Sequence, residues 1–131
     1  MSQITTQMNA NTPVDIGMVL QCPLAPSAIG LATSVLASGN VVSNAIITNG
    51  LKNFTFGITS SQNGSVSIQR YADQLGTIPV GAAITGSVTA ATATDVHSTD
   101  SIPYQSMIIT VNNTGGSTAT ISNCLLLLQA N

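Results

Sequence analysis

From residue 40 onward the chain alternates apolar and polar positions with a period of two, the mark of half-buried β-strands. In KNFTFGITS, Phe54, Phe56 and Ile58 fall on one side and Asn53, Thr55 and Gly57 on the other. SVSIQRY follows, with Val66 and Ile68 opposed to Ser65, Ser67 and Gln69. Asn63-Gly64 lies between these runs, and both residues tolerate positive φ, so the pattern predicts a β-hairpin over residues 53–71. QSMIITV and STATISNCLLLLQ predict a second strand pair, 105–111 and 118–128, with Gly115-Gly116 in a hairpin turn between them. The last strand is apolar on both sides, with Cys124, Leu126 and Leu128 on one and Leu125 and Leu127 on the other. Such a strand is expected to be covered twice, by a second sheet and by a neighbouring subunit.

The remaining segments are less regular. LGTIPVGAAITGSVTA reads as one strand broken near Pro79-Val80-Gly81, or as two short ones, at an edge or bend because Pro79 cannot donate to a ladder. Residues 90–104 lose the alternation and carry Asp, Ser, Thr and Pro, which is loop composition. Near the N-terminus IGMVLQ resembles a strand, QCPLAP a bent connector, and SAIGLATSVLASGN a strand or irregular segment. Residues 1–14 read as a polar arm with no core of its own, and residues 15–131 as one all-β domain. Short strands joined by Gly/Asn turns indicate a β-sandwich or jelly roll.

Composition changes this picture at one point, the charge. Of 131 residues only 5% are charged, with net charge −2, against about 25% charged in an ordinary domain. Ser, Thr, Asn, Gln and Gly supply the polarity. A surface so poor in charge suits a protein whose faces meet partners, or an extracellular particle, better than a free cytosolic enzyme. Lys52 and Arg70 are the only Lys or Arg residues. They are too few to neutralise several phosphates, which excludes nucleic acid as a partner. MSQITTQMNANTPVD shows no basic segment followed by an apolar run, so no secretory signal is expected. The longest aliphatic run, residues 125–128, is far short of a membrane helix, so no membrane partner is expected either.

Candidate chemistry gathers in DVHSTD, residues 95–100, which holds the single His of the chain. Asp95, His97 and Asp100 could offer a metal two carboxylates and an imidazole, with water or backbone completing the shell. Ser98 or Ser101 with His97 as base would be the catalytic alternative. Asp, Ser and Thr also populate plain polar loops, where they cap turns. That third reading is the expected one: no catalytic, cofactor or metal residue is assigned, and no enzyme is expected. Cys22 and Cys124 sit beside apolar residues and read as buried small hydrophobes, with a disulfide as the alternative. Arg70 and Asp73 are placed to form a local ion pair.

The stretches FTFGITSSQNGSVSIQRYADQLGTIPVG and YQSMIITVNNTGGSTATISNCLLLLQ resemble small structural proteins of tailed bacteriophages. The resemblance covers roughly residues 50–131 and is one of strand grammar, without a diagnostic motif. Among such virion components a capsid cement (decoration) protein fits best by size and by the N-terminal arm. The resemblance implies a β-sandwich that binds the major capsid protein on the outer head shell and reinforces capsomer junctions. It implies a homo-oligomer, dimer or trimer, located on the virion after assembly in the host cytoplasm, with no cofactor. A small tail or head-fibre component is the alternative within that class. A carbohydrate-binding β-sandwich module is the alternative outside it, weakened by the absence of Trp and a total of four Phe and Tyr.

Overall fold

A computed structural model describes residues 21–130; the expected arm, 1–14, and the IGMVLQ strand lie wholly or mostly outside them. Ten strands and one short 3-10 turn (Pro26–Ile29) make two antiparallel sheets packed face to face. The first sheet runs β1 (Gln21–Leu24), β10 (Ala119–Gln129), β5 (Asn53–Ser60), β8 (Thr94–His97), with β2 (Ser34–Val35) also paired to β10. The second runs β3 (Asn40–Val42), β9 (Ser106–Asn113), β6 (Gly64–Tyr71), β7 (Pro79–Val88), with β4 (Ile46–Ile47) also paired to β9. The chain therefore changes sheet after β5, stays for β6 and β7, then alternates through β8, β9 and β10. That is jelly-roll connectivity.

The alternation read from sequence places Phe54, Phe56, Ile58, Val66 and Ile68 on the inward side, as found. With them Val96, Ile121, Leu126 and Leu128 from one sheet meet Val88, Met107, Ile109 and Val111 from the other in a single core; Val96 lies in a stretch expected to be loop. The expected strand pairings, however, do not form. β5 pairs with β10 and β8, while β6 pairs with β7 and β9. Residues 61–63 form an arch from one sheet to the other, and residues 114–118 form a second arch between β9 and β10. Neither Asn63 nor Gly64 has positive φ, so the turn geometry that the dipeptide suggested is absent. Alternation fixes the face a residue takes and is silent about the strand beside it.

Gly64 is required for a different reason. A Cβ there would lie 2.0 Å from the backbone oxygen of Asn112, because β9 crosses close to the mouth of the arch. Gly64→Ala must push two paired strands apart and is expected to cost about 2–3 kcal/mol. Gly116→Ala, with nothing within 4 Å of its Cβ position, should be nearly neutral. Urea denaturation of both variants checks the pair.

Two irregularities set the strand phases. β7 advances four residues, Val80 to Ile84, while β6 advances two, Arg70 to Ile68, with Gly81 at φ +67. This is the bend expected near Pro79. In β10, Ser122 pairs with Thr59 and Leu125 with Gly57, so one extra residue is inserted, and Asn123 takes φ 49. Ile121 and Leu126 lie five apart and would face opposite ways in a regular strand. The bulge brings both inward.

Other expectations are corrected by the same register. Leu126 and Leu128 are buried, but Leu125 on the outer side is 44% exposed, so this chain covers only one face of its last strand. QCPLAP begins with β1, an edge strand that tolerates Pro23. Cys22 pairs with Leu128, four residues along β10 from Cys124, which puts the two Cα atoms roughly 13 Å apart. That is too far for a disulfide. Cys124 is a free thiol packed against the core, its pKa pushed up to about 11 by burial.

Candidate functional site

Half of DVHSTD is strand. Thr94–His97 pairs along β5, with Val96 turned into the core and Asp95 and His97 turned out beside Gly57 and Thr55. The His97 Nδ1 lies 2.7 Å from an Asp95 carboxylate oxygen, and both side chains are 61% exposed. Ser98 extends the pairing: its N–H donates to Phe54 O at 3.0 Å and its hydroxyl accepts the Phe54 N–H at 3.3 Å. Ser101 is exposed in the loop beyond.

Asp100 leaves this group altogether. Its carboxylate accepts two hydrogen bonds from Arg70, at 2.5 and 3.0 Å, and one from the Ile102 N–H at 3.0 Å. Arg70 faces inward from β6 and is 2% exposed, its guanidinium 5.6 Å from the centroid of the Tyr104 ring. Tyr104 in turn donates to Lys52 O at 2.6 Å, and burial pushes its pKa up to about 12. The fork, the ring and the loop 98–104 close one end of the sandwich. Asp73, expected to pair with Arg70, instead accepts from the Thr77 N–H and hydroxyl and the Ile78 N–H at 2.6–2.9 Å, holding the β6–β7 turn. Asp95, His97 and Asp100 are therefore not assembled as a ligand set, and no group of three metal-ligating side chains exists among the described residues.

The pairing of Arg70 with Asp100 has a pH consequence. The Arg70 hydrogen bonds, helped by the Ile102 N–H, hold the Asp100 pKa at about 2 against an ordinary 3.8. The Thr77 hydroxyl and the N–H groups of Ile78 and Thr77 hold Asp73 at about 2 as well. Both carboxyls bind protons less readily folded than unfolded, so their stabilisation is complete above the ordinary value and lost as pH falls through 3.8 toward 2. The urea midpoint is expected to drop over that window, and Asp100→Asn should flatten the drop. Equal midpoints for the parent chain at both ends of the window would contradict it.

What the sequence did not single out are the two outer sheet faces. On the first sheet, Asn53 faces Gln129, Thr55 lies between His97 and Leu127, and Gly57 between Asp95 and Leu125. Asn53, Thr55, His97, Ser98, Leu127 and Gln129 line a shallow polar groove. On the second sheet the rows run Asn40, Asn112, Ser65, Ser87 and Val42, Thr110, Ser67, Thr85. These two rows contain no charge and no aromatic ring. Val42, at 52% exposure, and Ile47, at 44%, add apolar surface along the edge of that face. Phe54, Phe56 and Tyr104 are buried, and Tyr71 is half-buried. The strict i, i+2 rhythm of Ser65/Ser67 and Thr85/Ser87 is the signal that could have disclosed the uncharged face, once their strands are known to be neighbours.

No protein-family model matches the chain, and no curated protein does. Among solved structures it is similar to the C-terminal family 6 carbohydrate-binding module of LamC, a marine laminarinase from Zobellia galactanivorans. That likeness has 11% identity and a TM-score of 0.48, over 83% of this chain and 99% of that one. PirA matches at 11% identity and a TM-score of 0.46, over 84% and 94% of the two chains. A family 4 carbohydrate-binding module matches at 17% identity and a TM-score of 0.39, over 88% and 99%. What is shared is the two-sheet β-sandwich. A fold of this kind hosts many unrelated functions.

Proposed function

We propose that this chain is a structural component of a bacteriophage virion, a cement protein that binds the major capsid protein on the outer head shell as a homo-oligomer. The observation that carries the reading is the pair of uncharged, ring-free rows on the outer face of the second sheet, Asn40 to Ser87 and Val42 to Thr85. Such a face suits broad protein contact made by shape, hydrogen bonds and apolar edges, with little long-range steering. The strand grammar of residues 50–131 supports the same class. Binding to the shell should therefore change little with salt, and many weak copies would hold through multivalency. The test mixes purified protein with capsids lacking it, at low and high salt, and measures the bound fraction by sedimentation. Failure to bind any capsid surface ends the cement reading, and strong salt sensitivity contradicts its physical basis.

The groove on the first sheet favours a second reading, carbohydrate binding. Its amide, hydroxyl and imidazole groups could hydrogen-bond sugar hydroxyls. The burial of Phe54, Phe56 and Tyr104 removes three of the four Phe and Tyr rings as platforms on which a pyranose could stack. Calorimetric titration with oligosaccharides, with Thr55→Ala as control, distinguishes this reading from the first.

A further inference from the structure

We infer that the free edge of β7 is a self-association site, at which two copies of this chain pair their β7 strands antiparallel about a two-fold axis. The inference deepens the homo-oligomeric part of the proposed function and would stand without the capsid.

β7 is ten residues long and, among the described residues, pairs with β6 alone, so the main-chain donors and acceptors along its other side join no strand ladder there. Soluble proteins protect such edges with charge, proline, bulges or very short strands. Here Pro79 and the bulge protect only the beginning. From Ile84 to Val88 the strand is regular and carries neither device. No charged residue occurs anywhere between Asp73 and Asp95.

The occupant follows from the same features. In an antiparallel self-pairing each position near the axis meets itself or a close neighbour, so any charge there would oppose its own copy. The regular stretch Ile84–Val88 offers only Thr85, Gly86 and Ser87 around its centre, small enough for a second backbone to approach and neutral enough to be self-compatible. The other sheet edges among the described residues do not match this. β8 is four residues long and bears Asp95 and His97. β1 contains Pro23, and β2, β3 and β4 have two or three residues each. Pairing through β7 would join the β3-β9-β6-β7 sheets of two copies into one continuous sheet and close the assembly at two.

The test uses the full chain and native mass spectrometry with analytical ultracentrifugation. Thr85 and Ser87 are exposed on the outer face, so Thr85→Lys/Ser87→Lys and Thr85→Glu/Ser87→Glu should keep the circular dichroism spectrum and melting midpoint of the parent. The parent chain is expected to be a dimer, and each double variant alone a monomer. An equimolar mixture of the two should give a mixed dimer, since opposite charges now face across the axis. A monomeric or trimeric parent overturns the inference. So does a Lys variant that associates as well as the parent, or a mixture that stays monomeric. A dimer that binds no capsid would remove the proposed function and leave this inference in place; a capsid-binding monomer would do the reverse.

Discussion

Leu126→Asp is expected to leave most of the protein unfolded at room temperature. Leu126 is 0% exposed and belongs to the core, on β10 between Leu24 of β1 and Phe56 of β5. The substitution removes a filled volume and sets a carboxylate among apolar core side chains. The combined cost is on the order of 5 kcal/mol, comparable with the whole stability of an ordinary domain. A carboxyl in that place would resist ionisation, so its pKa in any folded form would rise. The variant should then regain part of its stability below pH about 4 and lose it as pH rises. Leu125→Asp, one residue earlier on the outer face, is the informative partner. It should cost under about 1 kcal/mol if that face is open to water. A large loss for both would mean that a second subunit covers the outer face. Urea denaturation monitored by circular dichroism distinguishes these outcomes.

The second large effect is expected at Asn113, which is buried at 3% exposure where two arches and a turn meet. Its side-chain N–H groups donate to the carbonyls of Val35, Leu36 and Ser117 at 2.8–3.2 Å, and its carbonyl accepts the Gly115 N–H at 2.8 Å. Thr114 adds two contacts to the Asn63 carbonyl, which lock the β9–β10 arch against the β5–β6 arch. Asn113→Ala deprives several buried groups of partners and should cost roughly 3 kcal/mol. Asn113→Asp keeps the shape but turns a carboxylate toward three carbonyl oxygens, so it should be the more damaging of the two. If Asn113→Asp were as stable as the parent chain, the hydrogen-bond assignment at this junction would be wrong.

The candidate site divides in the same way between what neighbours in sequence disclose and what they do not. DVHSTD was legible as the place where titratable groups gather, although its first half is strand where a loop was expected. The split inside it was not legible. Asp95 and His97 are two residues apart on one strand and so share a face, whereas Asp100 lies beyond the strand end, where Arg70, thirty residues away, is the stronger attraction. A fork with a buried guanidinium offers two charge-assisted hydrogen bonds. The adjacent Asp73 is instead engaged by its own turn through Thr77 and Ile78. The polar groove and the uncharged face combine residues from three or four strands each, and no local pattern unites them.

The sequence by itself determined the all-β class, the inward faces of β5 and β6 and the bend near Pro79. These depend on the two-residue period of an extended chain, which each strand carries locally. It also determined the scarcity of charge, a property of composition alone. Only the tertiary structure decided that Gly64 serves the close approach of β9, that Asn123 inserts a bulge in β10, and that β5 and β6, like β9 and β10, lie in opposite sheets. The physical reason is that a half-buried strand can satisfy its inward side chains beside any partner that completes the core. The choice between hairpin and arch rests instead on contacts between residues some fifty apart, Thr114 with Asn63 and Asn112 with Ser65, which exist only once the two sheets have closed on each other.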